Sequence, residues 1–143
     1  MNQPNLQLTP AELDRTRQIL ENYEPAREAL TVLERNNGEF ATSFDRLWTE
    51  RNETLSYGDK QKSFWEVTLK VLRQEICGDE GFRSKILDYN KNPGSASLLT
   101  GAIIYLVGVS AVPIDPAIAT IIVLYILKVG LNIFCEYTNP ESD

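Results

Sequence analysis

From Leu98 to Leu127 the chain runs thirty residues with a single charged side chain, that of Asp115. The surface of a soluble domain rarely accommodates so long an uncharged run, and a helix that is apolar on nearly every side belongs to the centre of a protein or to a membrane. Whatever else it does, the chain must supply one of those two environments for this segment.

Asn92-Pro93-Gly94 marks where the apolar segment begins. Up to and including Gly94 the chain carries 13 basic and 16 acidic residues; the remaining 49 positions carry one basic and four acidic. This asymmetry divides the chain into an amphipathic region, residues 1–94, and an apolar region, residues 95–143, which form one compact domain if the first buries the second.

Punctuation within the apolar region predicts a helical hairpin. Ser95 or Ser97 caps a helix running to about Val112, and Pro113-Ile114-Asp115-Pro116 then forces a turn. Pro113 cannot donate into the helix before it, while Asp115 is placed to cap the next one with Pro116 at its first position. That final helix is expected to run from Pro116 to about Tyr137, where Asn139-Pro140 ends it. Ile103, Ile104, Val107, Ile121 and Ile122 would also suit buried strands, but uninterrupted runs of about 15–20 residues exceed normal strand lengths. Ser97, Gly101, Gly108 and Ala111 fall close to one stripe of the first helix, and Ala117 and Thr120 lie on one side of the second. Small residues at such positions are expected to let the two backbones approach closely.

Five amphipathic helices are expected before the break, giving an all-α fold. Thr9, Pro10 and Glu12 have the spacing of a capping box with proline at the first helical position. Leu13, Thr16, Ile19, Leu20 and Tyr23 then recur at helical spacing until Pro25. A second helix follows with Ala26, Ala29, Leu30 and Leu33 on one face, and closes at Asn36-Asn37-Gly38, where glycine or asparagine can adopt the left-handed conformation. Phe40, Phe44, Leu47 and Trp48 form the stripe of a third helix, Glu39 to Glu50. Asp59 is a candidate cap for a fourth carrying Phe64, Val67, Leu69, Val71, Leu72 and Ile76, stopped by Gly78. Asp79 caps a fifth with Phe82, Ile86 and Tyr89 along one side.

Residue types narrow the chemistry. The chain has no histidine, which removes the commonest general base, the commonest metal ligand and every Ser-His or Cys-His arrangement. Neither enzymatic activity nor a cofactor is expected, and no glycine-rich phosphate loop follows a strand. A net charge of −6 without any block of Lys or Arg argues against nucleic acid as a partner. Cys77 and Cys135 lack metal-binding spacing, so no metal site is expected either. The first ten residues show neither the basic nor the apolar part of a secretory signal; a cytoplasmic location with both thiols free is therefore expected.

Two functional readings follow from the solvent assigned to the hairpin. In the first, the amphipathic helices wrap it, and the chain is a non-enzymatic interaction, adaptor or regulatory protein that binds a protein partner or itself. Phe40, Trp48, Tyr57 and Trp65 are the candidate partner surface, with core packing as their competing role. In the second, residues 97–134 anchor in or perforate a bilayer, and the N-terminal helices regulate them or recruit partners. The second helix is about long enough to cross a hydrocarbon core of ~30 Å, and Lys128 lies near enough to its end to snorkel. The positive-inside signal is weak, because no Lys or Arg follows Cys135. A third possibility joins the two: a switch whose hairpin is released on a signal.

Overall fold

The computed structural model describes residues 7–51, 64–110 and 114–137, and the regular structure among them is all helical. Most of the caps are local, made within one turn of the residue that supplies them. Thr9 and Glu12 form the reciprocal capping box of α1 (Pro10–Ile19), with Glu12 Nα 3.1 Å from the Thr9 hydroxyl and Thr9 Nα 2.9 Å from the Glu12 carboxylate. Asp79 accepts from the Phe82 amide to start α5 (Glu80–Lys91), Ser95 from Leu98 to start α6 (Ala96–Val109), and Asp115 from Ile118 to start α7 (Pro116–Val129). Between Ser95 and Ser97, then, the cap of α6 is Ser95.

The second helix, α2 (Glu24–Arg35), ends in a turn that reaches beyond its own neighbourhood. The Gly38 amide donates to Leu33 O at 2.7 Å and the Asn37 amide to Glu34 O at 3.3 Å, the paired bonds of a Schellman ending. Asn37 and Gly38 both have positive φ, 59° and 81°. Gly38 also lies directly against Leu8, whose amide donates to Gly38 O at 2.9 Å. The N-terminal segment is thereby pinned beside the start of α3 (Phe40–Arg51) through an isolated antiparallel bridge between Gln7 and Glu39.

Helix α4 (Phe64–Cys77) receives help at its start from another helix: the Trp65 amide donates to the Asp45 carboxylate of α3 at 2.9 Å. The cap expected at Asp59 lies outside the described residues. Two members of the expected α4 stripe are corrected. Val67 and Val71 are about half exposed, whereas Trp65 and Thr68 are buried. An angle of 100° per residue puts 65, 68, 69, 72 and 76 on one face and turns 67 and 71 away from it.

The final helix departs most from expectation. It is two helices, α7 and α8 (Leu131–Tyr137), separated at Gly130. Gly130 has φ 100° and ψ 135°, a conformation closed to residues with a side chain, and its amide closes α7 onto Ile126 O at 2.7 Å. A single glycine inside an apolar pattern does not by itself announce such a break. Its consequence is geometric: 14 residues make a helix of about 21 Å, short of a ~30 Å hydrocarbon core. Among the described residues no helix is long and apolar enough to cross a membrane.

Position explains what α7 needs instead. Ten consecutive residues, Ala117 to Ile126, are buried, so every side of the helix over that length is covered. The covering elements are α2, α3, α6 and α8. One apolar cluster joins Leu8 and Leu13 to Ile126 and Phe134, so the core draws on both sides of the Gly94 division. Where α7 ends, Lys128 reaches Glu12 with Nζ 2.8 and 2.9 Å from the two carboxylate oxygens. The carboxylate that completes the α1 cap thus also anchors the central helix.

Candidate functional site

The aromatic residues considered as a partner surface are internal. Phe40 and Trp65 are each 1% exposed, and Trp48, partly buried, packs against the core. Together they belong to a chain of ring contacts through four helices. Trp48 stacks on Phe64 and Phe44, each at 5.8 Å between centroids. Phe44 meets Trp65 edge-on at 5.2 Å, and Trp65 meets Tyr125 at 4.8 Å. Tyr125 in turn receives Phe40 and Phe134 at 5.4 and 6.1 Å. Tyr125 of the central helix is therefore the hub to which α3, α4 and α8 attach. A recognition patch at Phe40 and Trp65 is replaced by a core, because the helical period that lines these residues up also points them at α7. Tyr57 lies outside the described residues.

Among the described residues α6 is one of the helices that leave apolar surface exposed. Its inward face is Leu99, Ala102, Ile103 and Leu106, all buried. Outward lie Ser97, Ile104 and Gly108, with Gly101 at the margin. Ile104 is 55% exposed, and a Cβ placed on Gly101 or Gly108 would meet nothing within 4 Å. The close approach expected of these glycines is not made against α7: they sit on the side of α6 that points away from it. Ala117, on α7, is buried; Ala111 and Pro113 lie outside the described residues. The positions 97, 101, 104 and 108 recur at intervals of four, three and four, the spacing of a coiled-coil seam. No charged residue occurs anywhere in α6.

A second cluster occupies the junction of α4, α5 and α8. Cys77 and Cys135 are joined in a disulfide, with their Cα atoms 5.8 Å apart, which corrects the expectation that both thiols stay free. A sequence separation of 58 concealed the pairing, since only the reversal of the chain through α5, α6 and α7 brings α8 back beside the end of α4. Arginines brace the bridge on both sides. Arg73 donates to Cys135 O through Nε at 3.3 Å and Nη2 at 3.2 Å, and Arg83 donates to Cys77 O at 2.9 Å and to Asn132 Oδ1 at 3.5 Å.

Beside it, Asp79 holds two donors on one oxygen: the Phe82 amide at 3.0 Å and the Tyr105 hydroxyl at 2.8 Å. The tyrosine bond, followed by the amide bond, holds the Asp79 carboxyl below its ordinary pKa. The same bond raises the Tyr105 hydroxyl above 10.0, because losing its proton would place a second anion against the first. Gly81 leaves room for that hydroxyl, since a Cβ there would collide with it. Lys85 lies 5.5 Å above the Tyr105 ring. The cluster ties α5 to α6, and among the described residues there is no grouping of three or more metal-ligating side chains.

Elsewhere an open, shallow groove along α2 is lined by Glu24, Arg27, Glu28, Thr31, Arg35 and Glu50, a mixture of both charge signs. Comparison with protein-family models, with curated proteins and with solved structures finds no match.

Proposed function

We propose that this chain is a non-enzymatic α-helical interaction protein that associates with a second copy of itself through the outward face of α6. The bundle is read as amphipathic helices wrapped around the α6–α7 hairpin, with α7 as its interior and α6 as the member that keeps one side free for binding. The observation that carries the reading is the exposed Ile104 between two glycines with open space above them.

In coiled-coil packing a residue at the position of Ile104 enters a hole bounded by the partner's positions 101, 104, 105 and 108. Knob and hole therefore occur on the same helix, which suits a twofold arrangement of identical chains. The uncharged face supports a second copy for another reason. Chains of net charge −6 repel each other, and α6 is a helix where contact brings no like charges together. Two helices of about 21 Å cover less than the roughly 1,200 Å² of a permanent interface, so association is expected to be weak and concentration-dependent.

Sedimentation of the full chain over a concentration series tests this. The mass should rise with concentration, and Ile104→Asp should stay monomeric with unchanged helicity and unfolding temperature. A monomer at several hundred micromolar would sink the proposal, as would undiminished association of Ile104→Asp. The bilayer reading is opposed by the enclosure of α7 on every side. Recovery of the chain only from membranes, resisting alkaline washing, would reinstate it.

A further inference from the structure

Helix α8 is the element least able to stand alone. Its seven residues make about two turns, far below the ~12–15 at which an isolated helix becomes even marginal in water. What holds it is external. Leu131 and Phe134 are buried, and Phe134 meets Tyr125, while Ile133 points outward and is 63% exposed. The Arg73 bonds to Cys135 O, the Arg83 bond to Asn132 and the disulfide complete its attachment.

The rest of the core is arranged differently. α7 is also covered by α2, α3 and α6, and these supply Ala29, Leu33, Phe40, Phe44, Leu47, Ala102 and Ile103, none more than 1% exposed. Loss of α8 would bare one end of α7 and leave its other sides covered. Gly130 supplies a single-residue joint at which α8 can part from α7. Both cysteines are half-buried and pack at the margin of the core rather than within it.

From these placements we infer that the Cys77–Cys135 bridge is a redox latch on α8. A thiolate of a dithiol reductant attacks one sulfur, the S–S bond breaks, and the other cysteine departs as a thiolate that takes up a proton. The reductant's second thiol then resolves the mixed disulfide. In sum the bridge gains two electrons and two protons, and the dithiol is oxidised to its own disulfide. Once cleaved, α8 retains two buried side chains and partly exposed hydrogen bonds against the entropy of ordering seven residues. It detaches at Gly130 and uncovers the Tyr125 end of α7, an apolar surface absent from the oxidised form. The latch is independent of association through α6.

The test is hydrogen exchange on the full chain in three forms: oxidised, reduced with dithiothreitol, and Cys77→Ser/Cys135→Ser. Intact mass before and after reduction reports the bridge as a gain of two hydrogen atoms. In the reduced chain and the double variant, amides of residues 131–137 should exchange at least tenfold faster, while those of 24–35 and 40–47 stay unchanged. Removing the reductant should restore protection. The inference is overturned if the chain purified in air carries two free thiols, or if reduction leaves α8 as protected as before. Uniform acceleration in every helix would overturn it too, because the bridge would then be a staple of the whole fold. Exchange at α8 reads none of the α6 contact, so failure here leaves the association experiment unaffected, and the converse.

Discussion

Replacing Gly38 by alanine isolates a place where a turn and a distant segment compete for the same space. A Cβ on Gly38 would lie 2.9 Å from Leu8 N and 3.0 Å from Leu8 C, and closer still to Leu8 O. All three are backbone atoms, so no side-chain rotation relieves the clash and the Leu8 segment must retreat. Retreat breaks the Leu8 amide bond to Gly38 O, worth about 0.5–1.5 kcal/mol. It also uncovers the Leu8 side chain, now 6% exposed, at roughly 1.5–3 kcal/mol. Alanine at positive φ adds about 1–2 kcal/mol, offset by ~0.4–1 kcal/mol from the stiffer unfolded chain. The sum is roughly 3–5 kcal/mol, a large part of the ~5–15 kcal/mol that holds a typical domain together.

Gly94→Ala is the matched control, with φ 95° and nothing within 4 Å, so it should lose only the conformational part, about 1 kcal/mol. Urea unfolding followed by circular dichroism reads both. With a slope of ~2 kcal/mol/M the midpoints should fall by about 2 M for Gly38→Ala and about 0.5 M for Gly94→Ala. Equal shifts in the two variants would refute the close approach as the reason for glycine at position 38.

Other substitutions separate surface from interior. Ile104→Lys should change stability by no more than ~0.5 kcal/mol, because its side chain already faces water. Ile122→Lys should prevent stable folding, since it buries an unpaired charge at a 0% exposed position of α7; a folded Ile122→Lys chain in thermal denaturation would contradict the enclosure of that helix. Trp65→Ala removes the ring between Phe44 and Tyr125 and should lower stability by ~3–5 kcal/mol in the same urea assay.

Acid should destabilise the fold through Glu12. Its carboxyl is held below 4.5 mainly by the hydrogen bond from Lys128, so its contribution is present above pH 4.5 and lost as pH falls through the lowered value. Glu12→Gln should flatten the unfolding temperature between pH 5 and pH 3. Tyr105 acts at the other end of the scale. Its raised pKa means that its contribution is complete below pH 10.0 and lost as pH rises through the folded value. Tyr105→Phe should therefore remove part of the alkaline loss, and an unchanged alkaline profile would count against the Asp79 bond.

Local structure was readable in the sequence wherever one turn of chain decides it. The Thr9–Glu12 box, the caps at Asp79 and Asp115, and the Asn36-Asn37-Gly38 ending all join residues within a few positions, where spacing alone prescribes the bond; at the start of α6 spacing allowed Ser95 or Ser97. Periodicity went one step further and grouped the aromatic residues of α3 on a single stripe. It could not say that the stripe faces α7, so a buried aromatic chain and a partner surface looked alike. The charge division at Gly94 likewise required an apolar environment for the last third of the chain without naming it.

Tertiary structure decided the rest, because each remaining feature depends on atoms far apart in sequence. Enclosure of α7 follows from the placement of α2, α3, α6 and α8 around it. Pairing of Cys77 with Cys135 needed the chain to reverse across a sequence separation of 58, and Gly38 is constrained by Leu8 across a contact that no turn pattern contains. Helices α6 and α7 are nearly equal in apolar content, yet one is interior and the other keeps Ile104 in water. Pattern reports how much apolar surface a helix has; only packing determines which part of it is covered.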